Sequence, residues 1–570
     1  MSFDLSEAAR RMLAADGPAL VLGGPGSGKT TLSLLKAQRL TPSLAPGQEV
    51  LFLSFSRAAV HQVAVRCKDV LSIEERRLIA VKTYHAFCME ILRVHGRLLT
   101  GSPPRILFPR DERLRRAAHG GDWEAERERL AAEEGLFAFD EFASCGAELL
   151  ERAACVRALL ADRYPIIILD EFQDTNDAQW ALVQQLARAS RLIVLADPDQ
   201  RIFEYDSSVD PRRLDQLCET VALTEFDLGT ENHRSPGGGI LGFADAVLRN
   251  RPLPDANEVA CRSFWPKNMD GTVHAAVVWL LAALRESGVT NPSIAILCRT
   301  NSLVLRLSEA LGKERTYRGA TYRPVEHAVM WDAELSAAAA VAVASILEWS
   351  AEGSDMDAAT TLDAIANFYD IKNSLKPSKS ASNTAASFRK AVERTTAGKE
   401  PRLKAGKAIV AASKAGVAYT GSPVQDWKWA LAVLDGANQL IEVQRHSRLV
   451  RLFRASGEIG PQLAEQWLTS GSYRGAQEIV RRAIDRATLL SVRSDPRGVV
   501  LMTMHKSKGK EFDGVVLVEG AHVSPFLNAS REAPPYHESR RLLRVGITRA
   551  RNRVVILRPN DALPLVGSYE

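Results

Sequence analysis

One stretch near the amino terminus restricts the fold more than any other. Residues 19–32 read ALVLGGPGSGKTTL. Four apolar residues predict a short strand, and G-x-x-x-x-G-K-T then runs from Gly23 to Thr30 into a predicted helix. Each part of that pattern has a task. Gly23, Gly24, Gly26 and Gly28, with Pro25 and Ser27 between them in the nucleotide-binding loop, let backbone N–H groups curl around phosphate oxygens, and the helix start adds a favourable dipole. Lys29 reaches the outer phosphates, the Thr30 hydroxyl binds Mg²⁺, and Thr31 closes the cradle. A strand, a phosphate loop and a helix in this order imply a parallel α/β sheet that binds a nucleoside triphosphate.

A second stretch answers the first. Residues 165–175 read PIIILDEFQDT. The unbroken run Ile166–Leu169 suits a strand buried on both faces. It ends on Asp170 and Glu171, with Asp174 three positions on. Open α/β sheets place ligands at the carboxyl edge of their strands. Asp170 is therefore expected to hold Mg²⁺, and Glu171 to activate an attacking water.

The 570 residues exceed what one hydrophobic core usually serves. A net charge of +5 permits a nucleic-acid partner without requiring one. Seven cysteines include no CxxC pair, which predicts reduced thiols in a cytoplasmic protein. No run of about 18 apolar residues offers a membrane span, and the first residues lack the apolar core of a signal peptide.

Further apolar runs predict strands at 50–55, 191–197, 293–299, 498–504 and 514–520. They fall into two groups, as expected of two nucleotide-binding-type parallel sheets, each interrupted by a mainly helical insertion. The expected division is 1–92 with 161–228 for the first sheet domain and 93–160 for its insertion. The second sheet domain takes 229–330 with 491–570, and its insertion takes 331–490. Within the latter, residues 372–407 carry seven Lys and three Arg against two Glu. That composition reads as a solvated or mobile basic segment, or as a contact to nucleic-acid phosphates.

Further stretches complete an ordered set: LSFSRAA (53–59), TYHAFC (83–88), ADPDQRIF (196–203), ENHRS (231–235), MTMHKSKGKEF (502–512) and RVGITRA (544–550). With the phosphate loop and LDEFQD, the chain resembles the UvrD/Rep/PcrA group of superfamily 1 DNA helicases. The resemblance implies two RecA-like motor domains with ATP between them, single-stranded DNA across their top, and 3′→5′ movement. It implies that Gln200 senses the γ-phosphate, that Arg234 and Arg549 reach it from the second motor domain, and that Glu511 lies near the ribose. It assigns Phe55, Phe203 and Tyr205 to base stacking, and Thr83, His85 and His505 to strand contacts.

Four departures qualify that expectation. Ala9 stands where the family carries an adenine-reading glutamine, and His233 where it carries an adenine-stacking tyrosine, so other NTPs or dNTPs are expected to serve beside ATP. Asp206 stands where the family braces its aromatic platform with an arginine. The chain ends 21 residues after Arg549, where the family builds a strand-separating hairpin. That predicts weak unwinding and leaves an alternative, an NTP-driven DNA-end sensor that regulates a partner nuclease. Single-strand/duplex junctions are the expected substrate in either case.

Overall fold

The computed structural model describes residues 5–567 apart from 56, 103, 108–111, 113–114, 117–118, 120, 203–207, 230–231, 236, 331–332, 376–377, 449–455, 492–497 and 521–523. It divides into two compact units. One comprises Met1–Leu107, Glu124–His327 and Asp495–Glu570; the other comprises Phe108–Trp123 and Ala328–Ser494.

The first unit holds two six-stranded sheets. In chain order the strands begin with β1 (Ala19–Leu22), β2 (Val50–Ser54) and β3 (Ile79–Thr83). The short β4 (Arg105–Leu107) and β5 (Leu136–Ala138) pair only with each other. β6 (Ile166–Leu169), β7 (Arg191–Ala196) and β8 (Thr224–Asp227) complete a sheet of order β3-β2-β6-β7-β1-β8. Every neighbouring pair in it is parallel. The cause lies in the sequence: Ile166–Leu169 and Val50–Ser54 are buried at every position, as strands covered on both faces must be. Because β1 sits beside β7, and β7 beside β6, the loops that leave these three strands emerge along one edge.

The second sheet uses β9 (Val259–Phe264) and β10 (Ile294–Cys298), then, after a separate antiparallel pair β11 (Arg315–Tyr317) and β12 (Ala320–Tyr322), β13 (His327–Val329), β14 (Val499–Thr503), β15 (Phe512–Val518) and β16 (Ala550–Pro559). Its order is β13-β14-β10-β15-β16-β9. The pairs from β14 to β9 are parallel. All the strand runs expected from the sequence are therefore strands.

The second unit is built from helices. The alanine-rich helix Ala333–Leu347 runs through its centre, and small side chains at Ala339, Ala340, Ala342 and Ala344 admit close neighbours. Within the basic stretch 372–407, left open above between a solvated or mobile segment and a phosphate contact, Lys379–Thr396 forms a helix capped by Ser378, and Ala381, Ala385, Phe388 and Ala391 are buried at helical spacing. The basic groups of the stretch are partly neutralised, Arg389 by Asp363 and Asp370, Lys372 by Glu442.

All seven cysteines are free. Among the described residues no helix is long and apolar enough to cross a membrane.

Candidate nucleotide site and nucleic-acid interface

The phosphate loop joins β1 to the helix Lys29–Leu40. Gly28 caps that helix in a left-handed conformation with no side-chain bond to it, so the first N–H groups face outward for an anion. Gly26 is also left-handed, and a Cβ there would lie 2.6 Å from Asn232 Oδ1 and 2.8 Å from Arg234 Cβ. Only glycine permits the segment 232–235 to approach so closely. Lys29 Nζ donates to the carbonyl of Gly24 at 3.1 Å, and its pKa is lowered by burial against the pull of Asp197, Glu171 and Asp170. Ser27 Oγ is buried without a protein partner. Outward N–H groups, a buried lysine and an orphaned hydroxyl fit a polyphosphate.

Asp170 and Glu171 leave β6 at the same edge. Glu171 adopts φ 54°, a left-handed backbone that a branched-off carboxylate residue rarely takes. Its N–H donates to Asp170 Oδ1 at 3.1 Å. Burial, and then the Glu171 charge, push the Asp170 carboxyl up. Burial acts on Glu171 in the same sense, but Lys508, Lys29, the Gln173 amide and Arg549 outweigh it and hold Glu171 below the usual range. Neighbouring carboxyls forced apart in this way suit one cation-binding and one proton-accepting role. Asp170 and Thr30 fit Mg²⁺, because a buried carboxyl beside a second one gains most from a divalent cation.

The second sheet sends cations to this edge. Arg549 precedes β16, is 2% exposed, and its Nη2 donates to Gln200 Oε1 at 3.0 Å. Burial, and then Arg234, push its pKa down to about 9. Gln200 Nε2 donates to Asp197 Oδ2 at 2.7 Å, so a pure donor and a pure acceptor fix the amide orientation. Arg234 donates to Glu511 Oε1 at 2.9 Å and to the Thr548 carbonyl at 2.9 Å. Glu511 thus neutralises Arg234 and, with Arg551 at 3.1 Å, is held down at about 2 despite burial. His233 donates its backbone N–H to Gly26 at 2.8 Å, and its ring lies against Gly28.

Three residues at this edge escaped sequence reasoning. Lys508 pairs with Asp174, lies 3.6 Å from Glu171 Oε2 and donates to the Gln200 carbonyl at 2.9 Å. Asp197 accepts from Gln200. Arg544 reaches Asp197 and Asp245. All three lie inside stretches quoted above; the signal was a charge at a motif position with no task assigned.

The nucleic-acid candidates sort less completely. Phe55 follows β2, and its ring centroid lies 5.3 Å from that of Tyr84. Thr83 ends β3 and caps the next helix by accepting from the Ala86 N–H at 3.1 Å. His85 stacks on Phe139 at 4.4 Å and 4°. Ser54 and Thr83 are register partners, as are Leu53 and Leu169, so these groups share the edge that carries Asp170. His505 belongs to the second sheet, and burial, then Arg299, lower its pKa to about 4. Phe203, Tyr205 and Asp206 lie outside the described residues.

A glycine-rich phosphate loop on one parallel sheet, facing arginines from another, defines a two-sheet P-loop protein. Comparison with known families narrows that class. The UvrD/REP helicase N-terminal domain matches residues 5–127 and 123–211, and the UvrD-like helicase C-terminal domain matches residues 354–559. The chain belongs to the UvrD-like helicase family.

Similar proteins carry helicase names. The ATP-dependent DNA helicase PcrA of Leuconostoc citreum is 24% identical over 365 residues, covering 52% of this chain and 47% of that protein. The ATP-dependent DNA helicase Rep of Escherichia coli (strain K12) is 24% identical over 282 residues, 41% of this chain and 42% of its own. The ATP-dependent DNA helicase UvrD1 of Mycobacterium tuberculosis (strain CDC 1551 / Oshkosh) is 24% identical over 639 residues, 95% of this chain and 80% of its own. The chain thus spans about half the length of PcrA and less of Rep.

Proposed function

We propose that this chain is a Mg-ATP-dependent DNA motor that moves 3′→5′ along single strands and acts at single-strand/duplex junctions. The observation that carries the reading is the Arg549–Gln200 bond, which ties a guanidinium of the second sheet to a sensor amide beside Glu171 on the first. In this reading residues 1–92 with 161–228, and 229–330 with 491–570, are the two motor domains, and 93–160 and 331–490 are their insertions.

The chemistry follows from the side chains. Lys29 and the loop N–H groups hold the polyphosphate. The Glu171 carboxylate takes a proton from water as the water oxygen bonds to the γ-phosphorus; the bond to the bridging oxygen breaks and ADP leaves as the anion. Gln200 orients the water, and Arg549 and Arg234 meet the charge on the equatorial oxygens. Thr30 and Asp170 would hold Mg²⁺, whose contribution is to neutralise phosphate charge.

Phe55 and His85 supply ring faces for bases of any identity. They share an edge with Glu171, so strand binding and hydrolysis are coupled through one sheet. The test is the ATP turnover rate with and without single-stranded DNA at one low salt concentration. Acceleration of about tenfold or more is expected, and identical rates reject the motor reading. Displacement of streptavidin from a biotinylated 5′ end, but not from a 3′ end, tests the direction.

A further inference from the structure

We propose that Arg544 is a positioning residue of this site, a latch that acts through Asp197 on both Gln200 and Glu171. The inference rests on the nucleotide-hydrolysis reading above and adds a residue to which no role has been given.

Arg544 belongs to the helix His537–Ile547 of the second sheet domain and is 3% exposed. Its Nε donates to Asp245 Oδ1 at 2.7 Å, its Nη1 to Asp197 Oδ2 at 3.4 Å, and its Nη2 lies 4.0 Å from Asp199 Oδ2. The same Nη2 lies 3.5 Å from the place a Cβ would take on Gly24, so the guanidinium borders the phosphate loop. Asp245 belongs to the second sheet domain, whereas Asp197, Asp199 and Gly24 belong to the first.

Asp197 is the junction of the site. Its Oδ2 accepts from Gln200 Nε2 at 2.7 Å and its Oδ1 from the Asp199 N–H at 3.0 Å. Its own N–H donates to Gln173 Oε1 at 3.0 Å, and the Gln173 amide donates to Glu171 Oε2 at 2.5 Å. A change at Asp197 therefore reaches the sensor amide by one bond and the base by two.

Two effects follow from placing a guanidinium there. Asp197 is a buried carboxylate close to Lys29, and an uncompensated carboxylate there opposes the charge that develops on the γ-phosphoryl oxygens during transfer, which ADP lacks. Arg544 cancels that charge. Its fork also engages acids from both sheets, which a compact ammonium on a flexible stem does less well. The Asp197 carboxylate is thus fully compensated only while the two sheets are together. Base and sensor are held in register in that state and loosened when the sheets part.

The experiment compares the parent chain with Arg544→Gln, Arg544→Lys and Asp245→Asn. It measures ATP turnover and the affinity for a fluorescent ADP. Arg544→Gln is expected to lower kcat about tenfold while ADP affinity stays within about twofold, and Arg544→Lys to recover to within about threefold of the parent. A folded Arg544→Gln variant with parental kcat overturns the latch, as does equal loss of kcat and ADP affinity without rescue by lysine. If Arg544→Gln does not fold, Asp245→Asn carries the test. It frees one end of the guanidinium without emptying the site and should lower kcat about threefold with ADP affinity retained. Unchanged kcat there overturns the latch. Lys29→Ala separates the two readings. If it hydrolyses ATP like the parent, the nucleotide site itself is misread and the latch falls with it. If it is inactive while the Arg544 variants are normal, only the latch fails.

Discussion

The two sheets of the first unit make opposite contributions to one site. The first supplies the phosphate loop and the acids Asp170, Glu171, Asp174 and Asp197, all at the ends of its strands. The second supplies Arg234, Lys508, Arg544 and Arg549, with Glu511 as their counter-charge. A site divided by charge in this way has a built-in condition. In the proposed reading the first sheet alone binds a polyphosphate, but its carboxylates oppose the charge that develops during transfer. Hydrolysis would then need the cations from the other side, and turnover would report that the two sheets have met.

The sharpest way to break this division is to remove the proposed proton acceptor from the acidic side. Glu171→Gln is expected to lower kcat by about 10³-fold or more while retaining ATP affinity, since the amide cannot take a proton. Turnover assays paired with nucleotide-binding titrations check it, and near-normal hydrolysis would move the base elsewhere.

Arg549→Ala probes the cationic side. A guanidinium delivered across a cleft in phosphoryl transfer is worth orders of magnitude, and a loss of about 10²- to 10³-fold in kcat is expected. Because the loop and Lys29 remain, ADP affinity should change little. A variant that loses ADP binding in parallel would make Arg549 a structural tie.

Lys508→Met sharpens the comparison, because this lysine crosses to the acids directly. It helps keep Glu171 charged, so its removal raises the Glu171 pKa. The base works only when deprotonated. The acid limb of the kcat–pH profile should therefore shift to higher pH, with the loss growing as the pH falls below neutrality. An unmoved limb would show that Lys508 does not tune the base.

The smallest effect concerns the base of the nucleotide. Ala9 is buried and has no side-chain hydrogen-bonding group, and the His233 ring lies against Gly28 of the phosphate loop. GTP and dATP are expected to be hydrolysed within about tenfold of ATP, a gap of about 1.4 kcal/mol. Competition kinetics with strict ATP preference would reveal another adenine reader.

What the sequence disclosed follows the same division. The first sheet was readable because its acids and glycines stand directly after apolar runs such as Ile166–Leu169, where local pattern and chemistry coincide. Gln200, Arg234 and Arg549 were singled out only through the ordered motifs. Lys508 and Arg544 were not found, because their partners Asp174 and Asp197 lie more than 300 residues away and charge matching at that range leaves no local trace. The helix Lys379–Thr396 lies in an insertion expected to be mainly helical, but its own boundaries were hidden by composition. Its Lys and Ser content drew attention from the buried spacing of Ala381, Ala385 and Phe388, which marks a packed helix.

The left-handed backbone at Glu171 carries a consequence for how such a chain ages under selection. A glutamate there holds a conformation that asparagine adopts more readily, by about 1 kcal/mol, and it crowds a second carboxylate. Against that gain stands the loss of the anion that Lys508, Lys29 and Arg549 hold, so Glu171→Asn should melt within a few degrees of the parent while losing its turnover. Drift at this codon, once the activity is no longer needed, would therefore cost the fold little.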